Sequence, residues 1–330
     1  MKILIIFYFL FTLLYSAEVR DMLDRDIHYE KSQRLVALGP GALRLVIYMG
    51  LKSRLVGIER IELQPSIHVP YRQLLDKTTK LNIVAQGGPG KLPNFEALIA
   101  VKPDLIIASF LSREQIALIE KKTNIPVVAL SYGGSHGGYN NENKLDAIKR
   151  SLTLLGAITQ RQSRAKELLA FMNTQQKRLS KIKLQNSQAY IAGLSYKGAQ
   201  GITSTESGYV SFEMLGVQNS IKFQGIGHRF IKEETLISAA PTYLFIDAVG
   251  KGMIAQERQQ KPYLFEFLER KGKFYPLLTS NYYNTNIENI FVNAWIIAEA
   301  MGAKVDITTE AKAIYRTFLG TNILNMSELF

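Results

Sequence analysis

Short apolar runs alternate with amphipathic stretches from residue 34 onward. RLVALG (34–39) reads as a strand, followed by Pro40-Gly41 and a helix through Tyr48. RLVGI (54–58), DLIIAS (104–109) and PVVALS (126–131) read as further strands, with a helix over 113–122 between the last two. Strand–helix–strand order of this kind predicts a parallel α/β sheet. Its strand-end loops fall at 39–41, 59–66, 109–112 and 131–141, and open α/β sheets bind ligands at those ends.

The middle of the chain has a different period. No proline occurs between Pro126 and Pro241. Ala165, Leu168, Leu169, Met172, Leu179 and Ile182 follow helical spacing, with Lys and Arg on the other face. The pattern predicts one helix over 143–183, about 60 Å long at 1.5 Å per residue, with Gly156 as a break or a close contact. The flanking segments resemble each other. NFEALIAVKPDLII (94–107) aligns with KEETLISAAPTYLF (232–245) at a constant offset of 138, sharing Glu96/Glu234, Leu98/Leu236, Ile99/Ile237 and Pro103/Pro241. The expected organisation is therefore an N-terminal lobe (18–142), a connector helix (143–183) and a C-terminal lobe (184–330) of like topology.

Ahead of these, Lys2 and an apolar run from Ile3 to Tyr15 precede the small residues Ser16 and Ala17. That is the layout of a signal peptide over 1–17, too short for a membrane span. A soluble periplasmic protein is expected. The 330 residues include no cysteine, which rules out a disulfide scaffold, a thiolate metal site, a Cys nucleophile and a lipid-modified Cys. The formal charge is +12. The basic residues are spread over helices without aromatic interleaving, so nucleic acid is not an expected partner.

Motifs for catalysis are missing. GGPGK (87–91) has Leu92 where a P-loop needs Ser or Thr. There is no G-x-S-x-G and no H-E-x-x-H, and His28, His68, His136 and His228 are scattered. These absences speak against an enzyme and against a resident cofactor; an exported α/β enzyme is the distant alternative. Gly39, Pro40, Arg60 and Tyr132 from the first lobe, and Tyr196, Arg229, Tyr282 and Tyr283 from the second, are the candidate ligand contacts by loop position. Arg60, Arg229 and Lys251 suit an anionic ligand. Tyr282 and Tyr283 admit three roles: ligands of a bare ferric ion, contacts to an organic chelate, or packing between lobes. With His136 and His228 they are the weak metal candidates.

Several segments resemble the periplasmic substrate-binding proteins of iron-siderophore, haem and cobalamin ABC transporters. They are RLVALGPGALRLVIYMGLKSRLVGIE (34–59), PNFEALIAVKPDLIIAS (93–109), IKEETLISAAPTYLFID (231–247) and the tail from Asn281 to Gly302. GPGALRLVIYMG, GGPGKLPNFEAL and GAQGITSTESGY are similar to the iron(III) subgroup. The resemblance implies an α/β fold of two Rossmann-like lobes joined by one long helix, with the ligand cleft between them. It implies capture of a metal chelate, a ferric siderophore or ferric citrate, with a nickel chelate or cobalamin as alternatives. It further implies a monomer that delivers to an inner-membrane ABC permease and its ATPase, docking through one glutamate per lobe. Glu114 and Glu213 are the positions expected to dock. Arg44 departs from the family, in which an acidic residue is common at that place.

Overall fold

The structure is a computed structural model and describes residues 17–321 apart from 65, 76–80, 134–141, 185–187 and 226. The expected leader lies outside the described residues as far as residue 16, and so does His136. Among the described residues no helix is long and apolar enough to cross a membrane.

The first lobe opens with an antiparallel pair, β1 (Ala17–Arg20) and β2 (Asp26–Tyr29). Then come β3 (Leu35–Leu38), α1 (Ala42–Tyr48), β4 (Leu55–Glu59), β5 (Asn82–Ala85), α2 (Phe95–Ala100), β6 (Leu105–Ala108), α3 (Arg113–Thr123) and β7 (Val127–Ala129). The last five strands form one parallel sheet in the order β5-β4-β3-β6-β7. Its strands are apolar at consecutive positions because both faces are covered. Leu35 and Ala37 of β3 point into one core, and Val36 and Leu38 into another. Leu105 and Ile107 of β6 alternate with Ile106 and Ala108 in the same way.

The connector is two helices, not the single helix expected over 143–183. α4 (Lys144–Ile158) ends at Thr159, and α5 (Gln162–Leu179) starts after a tight turn. Gln160 in that turn has φ 56°, outside the helical region. Arg161 N donates to Gly156 O at 2.8 Å, closing the turn. The helices fold back on each other: Lys149 Nζ donates to Gln176 Oε1 at 2.6 Å. Gly156 sits where a Cβ would come within 2.7 Å of the Ala165 Cβ, so it is the close contact of the hairpin. Apolar spacing runs through both arms, and the break lies in the polar Thr-Gln-Arg-Gln step, which carries neither Pro nor Gly.

The second lobe contains β8 (Ala189–Ala192), β9 (Ser204–Ser207), α6 (Val210–Glu213), β10 (Gly227–Phe230), α7 (Glu233–Ala239), β11 (Tyr243–Asp247), α8 (Lys251–Gln260), α9 (Pro262–Lys271) and β12 (Lys273–Leu277). It closes with α10 (Ile287–Ala300) and α11 (Ile307–Leu319). β12-β11-β8 is a parallel sheet and β9-β10 an antiparallel ribbon. The sequence repeat is structural: α2 and α7 both lead through a proline into a central strand, and Phe95/Glu233 and Leu105/Tyr243 start equivalent elements.

One apolar cluster runs from the first sheet through α1, α4, α5, α10 and α11 to Ala189, Ile191 and Phe245 of the second. Each lobe keeps a separate outer core. A shared core of this kind ties the lobes into one arrangement, whereas lobes joined by small polar interfaces move freely. Trp295 lies in it, 5% exposed, its indole N–H donating to Gln175 Oε1 at 2.9 Å and its ring under Arg178.

Candidate functional site

Strands of a parallel sheet end on one side, and here those ends carry the loops 39–41, 60–63, 86–92, 109–112 and 130–133 of the first lobe. In the second lobe they carry 193–200, 248–250 and 278–286. Side chains from the two sets meet across the boundary between lobes.

Gly39 turns at φ 83°, with its α-carbon so close to β6 that a Cβ would lie 2.0 Å from Ser109 O. This turn aims the Pro40 carbonyl outward, where it accepts from Ser109 Oγ at 2.6 Å and from Asn284 Nδ2 of the second lobe at 3.0 Å. Glu59, the last residue of β4, is 1% exposed. Its Oε2 accepts from the Tyr283 hydroxyl at 2.6 Å, and that hydroxyl accepts from Gly88 N at 2.9 Å. The Arg72 guanidinium covers the Tyr283 ring at 5.4 Å and is held by Glu62, Nε to Oε2 at 2.7 Å. Beside this chain, Tyr282 stacks on His68 at 5.6 Å, and His68 Nδ1 lies 2.6 Å from Thr279 Oγ1.

Arg44 is fully buried beneath the same loop. Its Nη2 donates to Asn286 Oδ1 at 2.7 Å and to the Tyr282 carbonyl at 3.1 Å. The guanidinium lies 4.8 Å from the Tyr71 ring centroid, and Tyr48 donates to Glu288 nearby. Arg44 stays charged here because the surrounding phenols and Glu288 oppose the cost of its burial. The first helix thus supplies a buried cation that holds the second lobe's loop.

Burial pushes the Glu59 carboxyl up to about 7, against the hydrogen bond from Tyr283. Asp247 ends β11 as Glu59 ends β4, and burial raises it to about 7 as well. It accepts from Ser280 N and Oγ at 2.8 and 2.6 Å and from Val249 N at 3.0 Å. Burial and the facing Glu59 carboxylate hold the proton on Tyr283.

The sequence candidates separate on these facts. Tyr282, Tyr283 and Pro40 come together as lobe-to-lobe contacts, with Gly39 forming the turn beside them. In this arrangement the Tyr283 hydroxyl is taken up by Glu59 and Gly88 N, so it serves as a contact between the lobes. Tyr132 is 1% exposed and donates to the Gly41 carbonyl at 2.9 Å, which places it under the loop and away from the cleft. Arg60 is exposed at the strand end, as expected.

On the second lobe, Tyr196 is 36% exposed and stacks on His228 at 4.4 Å with an 11° interplanar angle. Arg229 does not join them. It is paired with Thr205, so it points to the opposite face of the ribbon from His228, and it donates to the His228 and Gln224 carbonyls. Glu114 is exposed in the first turn of α3, and Ser112 Oγ donates to it at 2.6 Å, lowering its pKa. Glu213 ends α6; the residue is exposed, while partial burial of its carboxyl raises the pKa and Lys144 opposes that shift. Among the described residues no three His, Asp or Glu side chains converge as a metal site.

Glu59, Glu62, Arg72, Asn284 and Asp247 are not among the candidates read from loop position, although Glu59 and Glu62 lie within the 59–66 loop. A signal for two of them was available: Glu59 in LVGIE and Asp247 in YLFID are carboxylates ending otherwise apolar strands.

The sequence pattern of the family described as periplasmic binding protein matches residues 35–270. The chain belongs to the periplasmic binding protein family. Solved periplasmic binding proteins share the fold. The molybdate-bound binding protein MolA of Haemophilus influenzae superposes with a TM-score of 0.70 at 17% identity, over 92% of this chain and 98% of that one. An ABC transporter solute-binding protein of Sulfurospirillum deleyianum gives 0.67 at 19%, over 95% and 98%. The petrobactin-binding protein YclQ of Bacillus subtilis gives 0.62 at 17%, over 88% and 100%. No curated protein sequence matches the chain.

Proposed function

We propose that this periplasmic binding protein is the capture component of an ABC importer and carries a metal chelate, a ferric siderophore or ferric citrate, to an inner-membrane permease. The observation that carries this reading is the facing of two sets of strand-end loops across a boundary fixed by a shared core. Such a site suits capture in a preformed cleft. A petrobactin-binding protein of the same fold is in keeping with a siderophore as cargo.

Delivery requires docking to a permease by one acidic residue per lobe. Glu114 and Glu213 are inequivalent: one starts a helix after β6 and the other ends the short α6. Glu96 and Glu234 hold equivalent places in the first turns of α2 and α7, both exposed. A permease built from two like halves is met best by the equivalent pair.

Calorimetric titration of the purified protein with ferric siderophores, ferric citrate, nickel–histidine and cobalamin tests capture. Stoichiometric binding of a ferric complex is expected; silence toward all four classes sinks the reading. Trp295 is enclosed between α5 and α10, so heat is a better readout than its quenching.

A further inference from the structure

The register of the β9–β10 ribbon sorts its side chains. His228 faces Glu206, Arg229 faces Thr205 and Phe230 faces Ser204. Residues directly opposed in an antiparallel pair share a face, and the face alternates along each strand. Ser204, Glu206, His228 and Phe230 therefore stand on one side, and Thr205 and Arg229 on the other. Glu206 identifies the first side. Its Oε1 meets Lys144 Nζ at 3.3 Å, and Lys144 is the first residue of α4, just beyond the loop that follows β7. The side carrying His228 and Phe230 is therefore the one that meets the start of α4.

On that side three rings build a shelf. Tyr196, from the loop at the carboxyl end of β8, lies flat on His228. Phe230 stands edge-on to both, 4.6 Å from His228 at 74° and 5.9 Å from Tyr196 at 84°. The rings are fixed from below. Ser204 Oγ gives its one proton to the Leu194 carbonyl at 2.8 Å, so at 2.7 Å it must accept from His228 Nε2–H. Phe230 is nonetheless 56% exposed and Tyr196 36%. The Lys197 ammonium stands 5.7 Å from the Tyr196 ring centroid. Exposed aromatic surface held in fixed geometry beside a cation, built on a strand-end loop of the second lobe, matches a ligand that is itself flat, π-faced and anionic.

We propose that the Tyr196–His228–Phe230 shelf makes this protein select metal complexes built on anionic aromatic rings over complexes of aliphatic carboxylates. The inference rests on the capture reading above and narrows its ligand class. A ring stacks on the shelf and its charge is offset by Lys197; citrate has no ring and gains nothing from Phe230. Two sources share the required chemistry, ferric complexes of catechol-type rings and ferric haem.

The test titrates the wild-type protein and the Phe230→Ala and Tyr196→Ala variants with three probes: ferric 2,3-dihydroxybenzoate, haemin and ferric citrate. Circular dichroism checks that these substitutions at exposed positions leave the fold intact. At least one ring-bearing probe is expected to bind more tightly than ferric citrate and to weaken about tenfold in Phe230→Ala, with any citrate binding unchanged. Which of the two binds identifies the source. Lys197→Gln is expected to weaken the same probe by a smaller factor, and more so at low salt. Ring-probe affinity equal in wild type and both shelf variants overturns the proposal, as does equal loss for citrate. Binding of ferric citrate alone overturns the shelf while capture stands. Binding of none of the three overturns the shelf, and capture falls only if the wider panel above is also silent.

Discussion

The Tyr283 hydroxyl donates to Glu59 Oε2 at 2.6 Å across the boundary between lobes, while accepting from Gly88 N. The contact joins the end of β4 to the loop after β12. Tyr283→Phe removes the donor and leaves a buried carboxyl and a backbone N–H to find other partners. A loss of about 1–3 kcal/mol in unfolding free energy is expected, read by urea denaturation. An unchanged midpoint and slope would mean that the bond does not hold the lobes.

Glu59 also sets a pH dependence. Its folded-state pKa, about 7, lies above the ordinary carboxyl value of 4.5. The folded protein keeps this proton at pH values where the unfolded chain has lost it. The contribution is fully present below about pH 4.5 and disappears as pH rises through about 7, an effect on the order of 3 kcal/mol at most. Glu59→Gln keeps a neutral group at every pH. The variant is expected to show a flatter fall in melting temperature than wild type between pH 5 and 8. Asp247, raised to about 7 in the same way, retains its own share of the slope in that variant. Parallel curves for the two proteins would place the Glu59 titration elsewhere.

Arg44 gives the largest expected effect. It is fully buried, bonded to Asn286 and the Tyr282 carbonyl, with the Glu288 carboxyl among the charges that keep it ionised. Arg44→Leu strips these groups of their cation and costs about 3–5 kcal/mol. Pairing it with Glu288→Leu is expected to recover part of that loss. Additive losses in the double variant would show that the two groups do not interact.

How much of this was legible in the sequence follows from the physics at each position. The consecutive apolar residues of Leu35–Leu38 and Leu105–Ala108 announce strands covered on both faces, and the parallel sheet follows. The 138-residue offset between Phe95 and Glu233 likewise marks equivalent helices. The break at Gln160 was hidden because both arms of the hairpin bury their apolar stripe against a common core, so the period continues through the turn. Loop position brought Tyr283 to the boundary but left open whether a ligand or Glu59 would take its hydroxyl. Arg229 shows the remaining limit. Its nearness to His228 in sequence hides the alternation that sends neighbouring strand residues to opposite faces.

The helix hairpin makes a sharper prediction than a straight connector would. Gly156→Ala places a methyl 2.7 Å from the Ala165 Cβ, on the contact between α4 and α5. Overpacking there is expected to cost about 1–3 kcal/mol, and Gly156→Val more. In one continuous helix the same glycine-to-alanine change would stabilise, by about 1 kcal/mol. The sign of the shift in thermal midpoint decides between the two geometries.

Docking separates into two charge-reversal pairs. Glu96→Arg with Glu234→Arg alters equivalent first-turn positions of α2 and α7. Glu114→Arg with Glu213→Arg alters inequivalent ones, and Glu213 additionally feels Lys144 and Glu206. Uptake in cells and chelate binding by the purified protein are measured for both pairs. The equivalent pair is expected to abolish uptake and leave the dissociation constant within about twofold, because rim charges govern encounter more than the buried cleft. The Glu114/Glu213 pair is expected to keep most uptake, with a small loss of stability from disturbing the Lys144–Glu206 ion pair. Abolition of uptake by the second pair alone would assign docking to Glu114 and Glu213 and overturn the symmetry argument. Loss of chelate binding in either pair would move those residues from the docking surface into the cleft.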